Sequence, residues 1–275
     1  MKSIEQSVQL DKVGEHEYSA QLTPDWALWS PAGGFLTSLM MNAAGLETDF
    51  PQPISFGCQF LRRATFNTVT LRVQSLRRGR RTEALRVDMF QAKDLIATAQ
   101  VWVGQGASDG MQHDDTGPQE LPDPEALPKY AEIYPDDPMP PFFDRFDHRP
   151  IDPVLRGDET AHPAVLRGFY RFLPAILPDN AFVDAARAMV LIDTFSWLAT
   201  YPAHPGDGPS PWIAPNLDFY YRFHRASLGD AWLFMENRAD LAEGGLIAVA
   251  GDIRNQNGDL LVRGASQLIC LPRPV

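Results

Sequence analysis

DLIATAQVWV, residues 94–103, is echoed 165 positions later by DLLVRGASQL, residues 259–268. A second pair, LRRAT (61–65) and FHRAS (223–227), recurs in the same order at an offset of 162. Each match is short, but the shared order and near-equal spacing indicate an internal duplication with one small loop difference between the copies. Both copies have the same coarse layout. In the first, SVQLDKV and HEYSAQL read as strands around Gly14-Glu15. The helix FLTSLMMNAAG (35–45) follows, entered through Ser30-Pro31-Ala32-Gly33-Gly34 and left at Gly45. ISFGCQFLR, TVTLRVQSLR, TEALRVDMFQ and DLIATAQVWVG then read as strands. In the second copy, LRGFYRFL precedes a helix expected from about Phe182 to Tyr201, ended by Pro202. NLDFYYRFHR, AWLFMENRADL, LIAVAGDIRN and DLLVRGASQLICL complete it, with Asn255-Gln256-Asn257-Gly258 as a hairpin turn. One helix followed by an antiparallel meander implies a sheet that curls around the helix, which accounts for helices that are apolar on most sides.

Between the copies the composition changes. Residues 109–163 concentrate proline and acid with few aliphatics, and read as a long connection. The expected organisation is therefore a first repeat over 1–108, a linker over 109–163 and a second repeat over 164–275.

The chain has 275 residues, 44% hydrophobic and 21% charged, with a formal net charge of -11. That balance speaks against a nucleic-acid or anionic-membrane partner. Cys58 and Cys270 are far apart and match no metal or redox spacing, as expected of a reduced protein. The opening MKSIEQSVQL has no apolar signal core, and no stretch approaches 18 uninterrupted apolar residues, so a cytoplasmic protein is expected. His113, His148, His162 and His204 have no ligand spacing, and His224 reads as structural, so no metal is expected. There is no G-x-S-x-G elbow for a serine hydrolase and no glycine-rich phosphate loop.

Against this background VLIDTFSW, residues 190–197, stands out. At helical spacing Asp193 shares a face with Met189 and Trp197, so its carboxylate points where apolar side chains point. An unpaired carboxylate taken out of water is costly enough to neutralise instead. Something in the fold must compensate it or use it.

WSPAGGFLTSLMMNAAG in the first copy, and LID, NLDFYYRFHR and GASQL in the second, together resemble the acyl-CoA thioesterase II family. The resemblance covers nearly the whole chain apart from the linker. It implies an α+β double hotdog, two tandem repeats each with an antiparallel sheet wrapped around a central helix. It also implies hydrolysis of an acyl-CoA substrate by a held water, with no cofactor. By the same resemblance Asp193 matches the family's helix carboxylate and Gln267 its last-strand glutamine. Asn216 stands where the family often has Thr or Ser, and an amide differs from a hydroxyl in reach and geometry. Pairing into a homo-oligomer is common in the fold and compatible with this chain.

The duplication bears on the same residues. Aligning the copies sets Asn42 near Asp193, Ile54 opposite Asn216 and Trp102 opposite Gln267. A polar trio kept in one copy is what a single site per chain would look like. A helix carboxylate can serve as general base, while an Asn and a Gln can fix a water. Gly33 and Gly34, without Cβ atoms, would let backbone N–H groups approach a substrate oxyanion, although they equally suit the turn into the helix. Arg77-Arg78-Gly79-Arg80-Arg81 reads first as a solvated hairpin turn and second as a contact for coenzyme A phosphates. The rival from another class is a non-catalytic acyl-CoA or hydrophobic-ligand binding protein on the same scaffold, motivated by Asn216. A dehydratase ranks last, because neither helix carries a histidine.

Overall fold

The structure, a computed structural model, describes residues 1–106, 109–117, 119–135, 139–154, 158–205 and 210–273. The first copy comprises α1 (Ile4–Ser7), β1 (Asp11–Gly14), β2 (Glu17–Gln21), α2 (Gly33–Leu46), β3 (Gln52–Phe60), β4 (Thr68–Arg78), β5 (Thr82–Gln91) and β6 (Asp94–Gly104). Then follow α3 (Tyr130–Ile133), β7 (Phe146–Ile151), β8 (Val165–Phe172), α4 (Ala181–Ser196) and β9 (Trp212–Ile213). The chain ends with β10 (Asp218–Phe223), β11 (Leu233–Glu243), β12 (Leu246–Arg254), β13 (Leu260–Ile269) and β14 (Leu271–Pro272). No helix of the described residues is long and apolar enough to cross a membrane.

Apart from the small β9–β14 pair, the strands form one sheet of 12 in the order β1-β2-β4-β5-β6-β3-β10-β13-β12-β11-β8-β7. Outward from the central β3–β10 junction, the order reads β3, β6, β5, β4, β2, β1 on one side. On the other it reads β10, β13, β12, β11, β8, β7, the same succession of counterparts. The duplication read from the sequence is thus a two-fold repetition of the sheet. At the junction Tyr220 stands opposite Gly57 and Phe219 opposite Cys58.

Each half wraps one long helix, and the two helices run antiparallel against each other. A Cβ on Gly34 would come within 2.7 Å of Val190 Cα, and one on Gly45 within 2.6 Å of Phe182 Cγ, so small residues set the closeness of the crossing. Every residue of α4 from Phe182 to Ser196 is buried, the charged Asp184, Arg187 and Asp193 among them, as a helix enclosed on all sides requires. Asn180 caps α4 by accepting from the N–H groups of Phe182 and Val183 at 3.1 and 2.9 Å. The helix expected to reach Tyr201 stops as α-helix at Ser196 and tightens into a 3₁₀ turn over Trp197–Ala203, which contains Pro202. Proline removes an N–H and ends regular α-structure there.

Residues 109–163 do more than connect, and this corrects the expected linker. Phe146–Ile151 is a strand, β7, paired with β8 and occupying the place that β1 holds in the first half. The second repeat therefore begins inside the stretch rather than at 164. Two features of FDHRPI disguise it. Pro150 is tolerated because β7 is the sheet's edge, and the charges are locally matched, with Asp147 accepting from Arg149 at 2.9 Å and from Arg171 at 2.7 Å. His148 is stacked between the rings of Tyr130 and Tyr170, and burial pushes it down to about 3, so it is neutral core.

Candidate active site

The opening of α2 is unlike that of α4. Its N-cap residue is Ala32, which supplies no side-chain acceptor. Phe35 and Leu36 both donate to the Ala32 carbonyl at 3.1 Å. The N–H of Gly34 donates instead to Oδ2 of Asp193, 159 residues away on α4. Among the described residues the Gly33 N–H has no acceptor, so it is the first-turn amide left over.

Asp193 is 3% exposed. Its Oδ1 accepts from Nδ2 of Asn216 at 2.9 Å. Asn216 sits just before β10, bridged to Leu268 of β13. Ser196, one turn along α4, reaches both the Asp193 carbonyl, at 2.6 Å, and Oδ1 of Asn216, at 3.3 Å. With Ser196 at its oxygen and Asp193 at its nitrogen, the amide of Asn216 is held in one orientation. Burial raises the Asp193 carboxyl to about 7, and the bonds from Gly34 and Asn216 oppose that rise without cancelling it. The buried carboxylate is thus compensated by a helix N-terminus and an amide, and it is left titrating near neutrality.

The glycines belong to this arrangement. A Cβ on Gly33 would lie 2.7 Å from Asp193 Oδ1 and 3.1 Å from Cζ of Phe60. A Cβ on Gly34 would meet the α4 backbone. The structure therefore brings Gly33, Gly34, Asp193 and Asn216 together.

Gln267 lies close by but on a different face. Its carbonyl accepts from the Leu217 N–H at 2.8 Å, and its N–H donates to Asp218 Oδ1 at 2.9 Å. On β13, Gly264, Ser266 and Leu268 are buried whereas Arg263 and Ala265 are exposed, so alternation sets the Gln267 side chain with the latter pair. Its cross-strand partner Ala248 and its neighbour Leu217 are exposed as well. Among the described residues no side-chain hydrogen bond joins Gln267 to Asp193 or Asn216. Ser196 was missed by sequence reasoning, although a hydroxyl three residues after a buried carboxylate, in an otherwise apolar run, is a visible signal.

The pseudo-equivalent corner of the second half is built differently. Counted from the helix starts, Asp193 corresponds to Gly45, which is covered by the Phe182 ring. Asn42, expected to correspond, lies elsewhere and donates to the Val8 carbonyl at 2.7 Å. A cavity of about 40 Å³ does open at that end of α4, beside Asp184, His224, Arg225 and Ser227. Its carboxylate is already consumed, since Asp184 accepts from Arg187 at 2.6 Å and from the Ser227 hydroxyl and N–H, each at 2.7 Å. The hollow and the buried Asp193 carboxylate are at different ends of α4. Arg77–Arg81 is the exposed β4–β5 turn, where Arg78 pairs with Asp49 just beyond the far end of α2.

Comparison with known proteins agrees with this architecture. The tesB protein of Mycobacterium avium subs paratuberculosis is 23% identical, with 98% of each chain covered and a TM-score of 0.77. An acyl-CoA thioesterase II, TesB2, from Mycobacterium marinum is 19% identical over 98% of this chain and 99% of its own, with a TM-score of 0.79. A hot dog-fold protein of unknown function from Alicyclobacillus acidocaldarius is 20% identical, covering 99% and 98%, with a TM-score of 0.82. At these identities the likeness is one of fold. Comparison with curated proteins gives no match. The family is fixed by sequence models: residues 22–104 match the acyl-CoA thioesterase N-terminal domain and residues 116–270 the acyl-CoA thioesterase C-terminal domain. An uncapped glycine helix start facing a buried carboxylate, set in a duplicated hotdog sheet, is therefore found in a chain that belongs to the acyl-CoA thioesterase family.

Proposed function

We propose that this chain hydrolyses an acyl-CoA thioester to the free acid and coenzyme A, with Asp193 as the general base for an attacking water. The observation that carries the reading is the buried Asp193 carboxylate, raised to about 7, at the open N-terminus of α2. A base titrating near the working pH combines a useful ionised fraction with real proton affinity. Water bound between Asp193 and Asn216 gives its proton to Asp193 as its oxygen bonds to the thioester carbon. The carbonyl oxygen takes up negative charge beside the Gly33 N–H, where the positive end of the helix dipole favours it. The oxyanion then re-forms the carbonyl, the carbon–sulfur bond breaks, and the Asp193 proton leaves with the coenzyme A thiolate.

Asn216 in this reading holds the water and the carboxylate at a fixed angle, and Ser196 holds Asn216. Gln267 acts as a positioning residue: its backbone bonds to Leu217 and Asp218 set where the chain enters β10, and so where Asn216 points. The asymmetry of the helix starts supports one site per chain, since the first amides of α4 are already taken by Asn180.

The test is thiol release from a panel of short, long, branched and aromatic acyl-CoAs, with the wild-type protein and Asp193→Asn in parallel. Turnover of a substrate class, lost in the variant, is the expected result. Tight acyl-CoA binding by folded wild-type protein with no turnover across the panel would sink the enzymatic reading in favour of a binding protein.

A further inference from the structure

We propose that Arg63, with Arg62 beside it, receives the diphosphate of the coenzyme A part of the substrate; this rests on the thioesterase reading and adds the side chains that recognise the nucleotide end. Phe60, whose ring lies over Gly33, is the last residue of β3, and the chain runs from it directly into exposed Leu61, Arg62 and Arg63. Nη2 of Arg63 donates to the Trp29 carbonyl at 2.6 Å. The Trp29 indole, itself 44% exposed, meets Trp197 edge-on with ring centroids 5.5 Å apart. Trp197 lies one turn beyond Asp193 in the same helical run. Arg63, Trp29 and Trp197 therefore link the surface to the helical run that carries Asp193, and the two guanidinium groups stand at the outer end of this link.

The duplication supplies a control inside the molecule. Leu61 and Arg62 both donate their N–H groups to the Ile96 carbonyl, and His224 and Arg225 both donate to that of Leu261. The backbone thus makes Arg225 the counterpart of Arg62, one residue off the sequence match of LRRAT with FHRAS, which sets it against Arg63. Arg225 is neutralised: it donates to Asp114 at 2.7 Å and to the Leu260 carbonyl at 2.9 Å. In the first half, Arg62 comes only within 3.9 Å of Asp94 with both side chains more than half exposed. Arg63 has no carboxylate within 4.0 Å among the described residues. In a chain of net charge -11, the first half, whose α2 N-terminus faces the Asp193 carboxylate, keeps Arg62 and Arg63 available, whereas Arg225 of the second half is paired. Arg63 spends one N–H on Trp29, which leaves the rest of its planar fork for phosphate oxygens. The Arg77–Arg81 turn stands by the opposite end of α2 and does not share this rim.

Exposed arginine pairs are often simply solvated, so the test separates nucleotide recognition from a structural role. Steady-state kinetics are compared for an acyl-CoA and for the N-acetylcysteamine thioester of the same acyl group, which lacks diphosphate and nucleotide. In Arg62→Gln/Arg63→Gln, KM for the acyl-CoA is expected to rise about tenfold with kcat kept, while the truncated thioester is hydrolysed as before. The salt dependence of kcat/KM for the acyl-CoA should flatten in the same variant. Arg77→Gln/Arg80→Gln should leave both substrates unchanged. An acyl-CoA KM unchanged in the Arg62/Arg63 variant overturns the proposal, and so does an equal loss on both substrates, which would mark the bond to Trp29 as structural. Failure of the wild-type protein to turn over either thioester would instead remove the thioesterase reading, and this proposal with it.

Discussion

The backbone N–H of Gly34 donates to the carboxylate of Asp193 across the crossing of α2 and α4, tying the start of one repeat's helix to the end of the other's. The bond sets the carboxylate beside the first-turn amides of α2, and it leaves Asp193 at about 7 because burial outweighs it; in the proposed reaction this carboxylate is the base. The base must be ionised to act. Hence kcat/KM should rise with pH through about 7 and level off above. Asp193→Asn should lower it by about 10²–10⁴-fold and abolish that limb.

The same shift has a thermodynamic consequence of known sign. The folded carboxyl holds its proton more tightly than an ordinary aspartate, so its contribution to stability is full below about pH 4 and is lost as pH rises through about 7. Urea unfolding of wild type and Asp193→Asn between pH 5 and pH 8.5 should show wild type losing stability relative to the variant across that window. Parallel curves would show that Asp193 titrates normally.

Gly33 and Gly34 should respond differently to alanine. At Gly34 the new methyl would meet Val190 Cα at 2.7 Å, which only separation of the helices relieves, so a loss of about 1–3 kcal/mol in stability is expected. At Gly33 it would meet the end of the Asp193 side chain, which can swing aside. Gly33→Ala should therefore cost activity with little change in Tm. Calorimetry beside initial rates separates the two outcomes.

How much of this was legible follows from which forces are local. The duplication, the central helices and most strands follow from periodicity and turn residues along the chain. β7 did not, because Pro150 and the alternating charges of Asp147 and Arg149 conceal a strand that only edge position and ion pairing permit. Asp193 announced itself as a carboxylate in an apolar run, but its partner Gly34 is a backbone group, which carries no residue signature. The face of Gln267 was readable in retrospect: Arg263 and Gln267 are four apart on one strand and must share a side, and Arg263 points to solvent.

Asn216 should report on the carboxylate it touches. Its Nδ2–H stabilises the ionised form of Asp193, so Asn216→Leu should move the acid limb of kcat/KM upward from about 7 and reduce the rate at pH 7 by about tenfold or more. Asn216→Thr keeps a hydroxyl donor and should retain most of the wild-type profile. A pH–rate profile identical in all three proteins would dissociate Asn216 from the base.

The last prediction sets Gln267 against Arg187, two residues that differ in how they are held. Arg187 is 1% exposed and bonds Asp184, the Ser227 carbonyl and hydroxyl, and the Asp230 carbonyl, all at 3.0 Å or less. Arg187→Met leaves Asp184 charged and buried without its partner, so unfolding free energy should fall by about 3–5 kcal/mol. In the proposed positioning role Gln267 acts through its backbone bonds, which substitution retains, so Gln267→Ala should change kcat by less than about threefold and stability by less than about 0.5 kcal/mol. A drop in kcat comparable to that of Asp193→Asn, with Tm intact, would show that the Gln267 side chain turns inward when substrate is bound. The positioning role would then give way to direct contact with the reacting water.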